Sequence, residues 1–139
     1  MFPRHFNNVE VGSVVMARIT KLYPDKVECD ILCIGDVPSR SRCKGVIALS
    51  DIFTENVTLE DVKTTECFMP GDLIRARVLS LVDRQQIILG TSGPSYGVIR
   101  AFSKNGYEMR AISWRHMQCT GTKQVEMRKT AATGGKPTI

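Results

Sequence analysis

His116 and Cys119 stand three residues apart in the stretch 111–129, beside Trp114, the chain's single tryptophan. An imidazole and a thiolate at that spacing are what one half of a zinc knuckle offers. A closed structural zinc site needs four such ligands, usually as two close pairs. The other histidine, His5, lies at the far end of the chain, and the other cysteines (Cys29, Cys33, Cys43, Cys67) all precede residue 68. Two ligands do not close a tetrahedral shell, so no metal and no cofactor is expected.

Acid chemistry is the next candidate. Asp51, Glu60, Asp61 and Glu66 sit in or beside one polar connection, and paired carboxylates can hold Mg²⁺ for phosphodiester hydrolysis. A solvated acidic loop is the commoner reason for such a cluster. No phosphate loop, no Ser-His-Asp signature and no His-Glu-x-x-His helix accompanies it. Cys29 and Cys33 are spaced to share a strand face and suit a core as small apolar groups. The chain therefore reads as non-catalytic.

Cations remain. Residues 1–66 hold 8 Lys/Arg against 10 Asp/Glu, and residues 67–139 hold 11 against 4, so a net −2 half precedes a net +7 half. Such asymmetry suits a polyanion, through phosphate neutralisation and counterion release, or a plainly solvated basic surface. The candidate phosphate contacts are Arg40, Arg42 and Lys44 in the segment leaving the second strand, with Lys21 and Lys26 near them. Arg75 and Arg77 share one strand face by the two-residue period. Aromatic residues make up only 6% of the chain, which favours phosphate contact over base stacking. Tyr23 and Phe53 are assigned to covering the barrel's ends.

The elements that must position these residues are short strands. Gly12–Leu22 is rich in Val and Ile. Lys26–Ile34 alternates Val27, Cys29, Ile31 and Cys33 against Glu28 and Asp30, and Tyr23-Pro24-Asp25-Lys26 between the two reads as a turn. Residues 35–45 are expected as a loop and Gly45–Asp51 as a third strand. A long polar connection follows, with one helical turn at Leu59–Lys63. Residues 70–83 give a fourth strand and 84–92 a fifth. Gly97–Phe102 and Gly106–Trp114 are two further β segments, joined through Asn105-Gly106, a strong hairpin signal. Five short strands describe an all-β, oligonucleotide-binding (OB) type barrel. The odd count of cysteines, without disulfide spacing, suits a reducing compartment. No apolar run approaches the ~20 residues of a membrane span, and the first residues lack a signal-peptide core.

The segments VGSVVMARI, GVIALSD, PGDLIRARVLSLVD and IILGTS, in that order over Val9–Ser92, resemble the ribosomal-protein S-one type of RNA-binding barrel. Gly93–Lys129, closing on Glu126-x-Arg128-Lys129, resembles the small ribbon that follows the barrel in the Csl-four family of RNA exosome cap subunits. The resemblance implies a leader or remnant at 1–8, a barrel at 9–92, a ribbon at 93–129 and a flexible tail at 130–139. That family normally carries another small β domain before the barrel, and about eight residues stand there in this chain.

The zinc-bearing relatives place their first ligand pair in the turn between the ribbon's β segments. Here that turn holds Ser103 and Asn105. Packing of Val98, Ile99, Phe102, Met109, Ile112, Trp114 and Met117 is expected to stand in for the metal. The resemblance further implies a non-catalytic subunit acting on RNA in nucleus and cytoplasm. Tyr96, Phe102, Tyr107, Trp114 and Met117 would be its exposed anchors on the exosome ring. An independent RNA-binding barrel and a purely structural adaptor are the alternatives.

Overall fold

The computed structural model describes residues 9–53, 62–81 and 86–131, and for 39–42 the backbone alone. Among the described residues the strands are β1 (Val14–Leu22), β2 (Lys26–Ile34), β3 (Val37–Ala48), β4 (Leu73–Ser80) and β5 (Gln86–Gly90). They are followed by β6 (Gly97–Arg100), β7 (Met109–Ser113), β8 (His116–Cys119) and β9 (Val125–Met127). The first five close a barrel in the order β1-β2-β3-β5-β4, with β1 pairing β4 to complete the ring. The β3–β5 ladder is parallel and the other barrel ladders are antiparallel.

Alternation decides which side of each strand faces the axis. Val15, Ala17 and Ile19 of β1, Val27, Cys29 and Ile31 of β2, Ile74, Ala76 and Val78 of β4, and Ile87 and Leu89 of β5 are all buried. Each such side chain contributes about 1.5–3 kcal/mol when large and fully buried. On β3 the inward position Gly45 is forced by space: an added Cβ would come within 2.6 Å of Leu89 Cδ1 and 3.0 Å of Cys29 Sγ. Ile52, Phe53 and Phe68 join the same core.

The third strand is longer than the sequence suggests. Of residues 37–44, expected in a loop, Val37, Pro38, Cys43 and Lys44 pair with Ile34, Cys33, Ile31 and Asp30 of β2. The tight Gly35-Asp36 turn returns the chain at once. Pro38 is tolerated because the ladder is irregular between Ile31 and Cys33. That irregularity also breaks the expected face shared by Cys29 and Cys33: the first is buried and the second half-buried. Leu49–Asp51, expected as strand, forms a 3₁₀ turn, and another spans Thr64–Glu66. The helical turn expected at 59–63 falls largely outside the described residues.

Two small pieces follow the barrel. β6 does not pair along β7 as the Asn-Gly signal suggests; it lies beside β4, with Arg75↔Gly97 and Leu73↔Arg100. The two arms of the Asn105-Gly106 turn meet at an isolated Phe102↔Glu108 bridge, where Ser103 N–H donates to Tyr107 O and Met109 N–H to Ala101 O. β7, β8 and β9 make a separate antiparallel sheet. Residues 128–131 then stitch this ribbon to the barrel. Lys129 N–H donates to Cys67 O, Val98 N–H to Lys129 O, Ala131 N–H to Val98 O, and Thr130 N–H to Trp114 O. Thr130 and Ala131, expected in a flexible tail, are buried.

Side chains strengthen the stitch. Arg128 Nε lies 2.8 Å from Asp72 Oδ2, with both side chains only 3% exposed, and its Nη1 lies 2.9 Å from Glu126 Oε1. Burial pushes the Asp72 carboxyl up, while Arg128 and the Met69 N–H pull it down. Lys129 Nζ donates to the Gly93 and Tyr96 carbonyls, and burial lowers its pKa to about 8. Gly97 completes the joint: at φ +131° an added Cβ would lie 2.3 Å from Lys129 O. Stranding a buried charge costs about 3–5 kcal/mol. Arg128→Ala is therefore expected to lower unfolding free energy by about that much in urea denaturation. Adding Asp72→Asn should recover part of it, and an Arg128→Ala variant as stable as the wild type would remove the pair from any structural role.

Candidate nucleic-acid interface and ribbon surface

The β1–β2 hairpin builds the first candidate contact. Its turn closes through Tyr23 N–H to Lys26 O at 2.9 Å, and Thr64 Oγ1 donates to Tyr23 O at 2.8 Å. These bonds hold a half-buried Tyr23 ring beside two cations: Lys21 Nζ is 5.0 Å and Lys26 Nζ 5.1 Å from its centroid. A ring with ammonium groups at cation–π range can stack a base while the lysines take flanking phosphates. Sequence reasoning assigned Tyr23 to covering the barrel's end, and the structure adds the two lysines beside its ring. In Lys21-x-Tyr23-x-x-Lys26 the tight turn is what brings both lysines back to the ring.

Lys44 is exposed on β3, in register with Asp30 of β2. Arg40 and Arg42 lie on the same strand, and their side chains are outside the described set. Arg75 and Arg77 sit elsewhere, on the outer face of β4, with β5 separating them from β3 on one side and β1 and β2 on the other. Both are already engaged. Arg75 Nη1 donates to Ser95 O at 3.1 Å, and the Arg77 guanidinium lies 6.0 Å from the Tyr96 ring. The candidate cations thus fall on two faces. Of the acidic cluster, Glu60 and Asp61 lie outside the described residues. Among the described residues no group of His, Cys, Asp and Glu could hold a metal ion.

The expected ribbon anchors divide as well. Trp114 is 60% exposed, Phe102 52% and Tyr107 50%, whereas Met117 is 2% exposed. Met117 is corrected from surface anchor to core residue: strand alternation on β8 turns it inward with Cys119 and leaves His116 and Gln118 half-buried. Phe102, Ile112 and Trp114, expected to pack in place of a metal, are exposed, and Val98 and Met109 are buried. Trp114 meets Phe53 of the barrel edge-to-face at 6.1 Å, and the Arg115 guanidinium lies 4.6 Å from the Phe53 ring and 5.6 Å from that of Trp114. Tyr107 lies across Gly121, where an added Cβ would meet its ring at 2.5 Å.

The same alternation separates the pair on which a metal reading rested. His116 Nδ1 sits 2.9 Å from Ser113 Oγ. Cys119, on the other face, has its Sγ 3.3 Å from Ser103 Oγ and accepts the Thr122 N–H at 3.4 Å. Ser103, in the turn where zinc-bearing relatives carry ligands, is therefore the residue facing Cys119. One thiol among hydroxyls does not fit zinc's need for thiolate or imidazole ligands.

No family model matches the chain. It is similar to the exosome complex component CSL4 of Mus musculus, 36% identical over 124 residues, 88% of this chain and 62% of the relative. The Homo sapiens protein of that name is 35% identical over 124 residues, with the same coverage. The exosome complex component csl4 of Schizosaccharomyces pombe is 37% identical over 123 residues, 87% of this chain and 66% of its own length. The chain spans under two thirds of the length of these relatives. A crystal structure assigned to an exosome complex RNA-binding protein aligns at TM-score 0.46 and 20% identity, over 68% of this chain and 49% of that one. That likeness is too slight to add weight.

The Ser103–Cys119 contact is open to a direct test. Hydrogen bonds from the Ser103 and Thr122 side chains, then from the Thr122 N–H, favour the thiolate and lower the Cys119 pKa from 9.0 to about 7. A folded value below the free one adds stability that is full above pH 9 and lost as pH falls through about 7. The ¹³Cβ resonance of Cys119 is expected to titrate near 7, and Ser103→Ala to move the midpoint up. A midpoint at the ordinary thiol value in the wild type would show that these bonds do not form.

Proposed function

We propose that over its barrel and ribbon this chain belongs to the family of the exosome complex component CSL4 and is a non-catalytic cap subunit of the RNA exosome. The observation that carries the reading is continuity: a single stretch of similarity takes in 88% of the chain, barrel and ribbon together. In this role the protein steers RNA toward the ring and bridges ring subunits, and so serves RNA processing and 3′-to-5′ decay. It works in the nucleus, including the nucleolus, and in the cytoplasm.

The RNA contact we assign is the Lys21–Tyr23–Lys26 turn with Lys44, and Arg40 and Arg42 join it through their places on β3. Contacts of this kind neutralise phosphates, so affinity should fall steeply with salt and depend little on sequence. Phe102, Tyr107 and Trp114, with the half-buried Tyr96 at their edge, anchor the chain on ring subunits, where exposed aromatic rings carry much of the binding energy. A second reading, an RNA-binding protein that works alone, draws on the Tyr23 platform, which gives the barrel a stacking group of its own.

Tagged purification from the protein's own cells at moderate salt separates the two. A stoichiometric set of ring subunits that survives nuclease treatment is the expected result. Recovery of the chain alone, or of partners lost on nuclease treatment, would favour the independent RNA-binding protein instead.

A further inference from the structure

We propose that the outer face of β1, β4 and β6 is a protein-docking surface, fitted to a partner that presents carboxylates among apolar side chains. The β1–β4 register sets one arginine against one apolar residue in each row: Val14 opposite Arg77, Met16 opposite Arg75, and Leu73 opposite Arg18. β6 extends the last row, with Arg100 across from Leu73. The outward positions of these strands carry neither Asp nor Glu.

Composition decides between protein and RNA. Every cation in these rows is arginine, interleaved with aliphatic groups and a methionine, and Val14 is 38% exposed. Enrichment in arginine and methionine with loss of Lys, Glu and Asp is the signature of a protein interface. One open ring adjoins the face, Phe102, 52% exposed with the Arg100 guanidinium 5.3 Å from its centroid, while the half-buried Tyr96 lies 6.0 Å from that of Arg77; aromatic rings beside arginine are enriched at protein interfaces as well. The lysines of the proposed RNA contact stand at the β1–β2 turn and on β3.

Two of the arginines are also held in place. Ser95 O fixes Arg75 and the Tyr96 ring steadies Arg77. Arg100 pairs with Glu108 at 3.1 Å in the open, a kind of pair worth about 0–1 kcal/mol and readily exchanged for a partner's carboxylate. Arg18 is exposed and makes no ion pair among the described residues. A planar guanidinium held in one orientation matches a carboxylate with two parallel hydrogen bonds.

The inference rests on the cap reading for its probe, the reconstituted RNA-free exosome ring from the same organism. Binding of the whole chain to that ring is compared for wild type and the Arg18→Glu/Arg77→Glu double variant, both positions being exposed. The expected result is at least a tenfold rise in Kd with an unchanged melting temperature. Arg18→Lys/Arg77→Lys, which keeps charge without the planar fork, should fall between. Ring binding that survives the Glu variant overturns the docking face alone. Failure of the wild type to bind the ring overturns the cap reading and the docking face with it. A variant that keeps the ring but loses a single-stranded uridine oligonucleotide makes this an RNA face, and the proposal falls.

Discussion

Arg128 reaches from the end of the ribbon to the turn that launches β4, and there meets Asp72 in a pair almost wholly withdrawn from water. The carboxylate holds more than the arginine. It accepts the Met69 N–H, and the Asp72 backbone carbonyl accepts the N–H of Ile19 on β1. The same few atoms therefore fix the approach to β4, its junction with β1 and the place where the ribbon docks. A buried pair of this kind is poor evidence of net stability, because desolvation can cancel the attraction. What it supplies is a unique arrangement: no other position of the ribbon would meet both charges. Glu126, Gly97 and Lys129 support that arrangement from three sides.

This constraint explains how a ribbon so short can be ordered. β8 has four residues and β9 three, and small sheets of that length need packing against something larger to be stable. In zinc-bearing ribbons the metal supplies part of that stability. Here the barrel does so, through the backbone bonds of residues 128–131 and the edge-to-face contact of Trp114 with Phe53. Ser103 and Cys119 add a hydrogen bond between the turn before β7 and strand β8.

Much of the barrel could be read in the sequence because alternation is a local property: β1, β2 and β4 show it plainly, and the closed all-β architecture follows from their number and spacing. Failures came where a distant element decides. Val37–Lys44 looks like a loop because of its Pro and Ser, yet the free edge of β2 draws it into a strand. Gly97–Arg100 carries a local hairpin signal that loses to β4. Met117 resembles Trp114 as an apolar residue, and only the β8 register separates them. Of the candidate site, Lys21, Lys26 and Lys44 were legible as cations. Their grouping at the Tyr23 ring was not, since it depends on a turn that returns two lysines to one ring.

Charge shows the same limit in a form that bears on function. The basic half counts Arg128 and Lys129 among its cations, but both are buried and spent on Asp72 and on carbonyls. Arg75 and Arg77 are partly spent too, on Ser95 and Tyr96. What the barrel offers an anion is therefore less than a residue count suggests, and it is divided between lysines at the β1–β2 turn and on β3 and arginines across β4. Lysines on a flexible stem suit a mobile phosphate backbone, whereas held arginines suit a fixed carboxylate. A subunit that must touch a moving strand and a stationary neighbour would need both kinds of surface, kept at a constant distance. The Arg128–Asp72 joint keeps the ribbon's exposed rings at a fixed distance from those two faces.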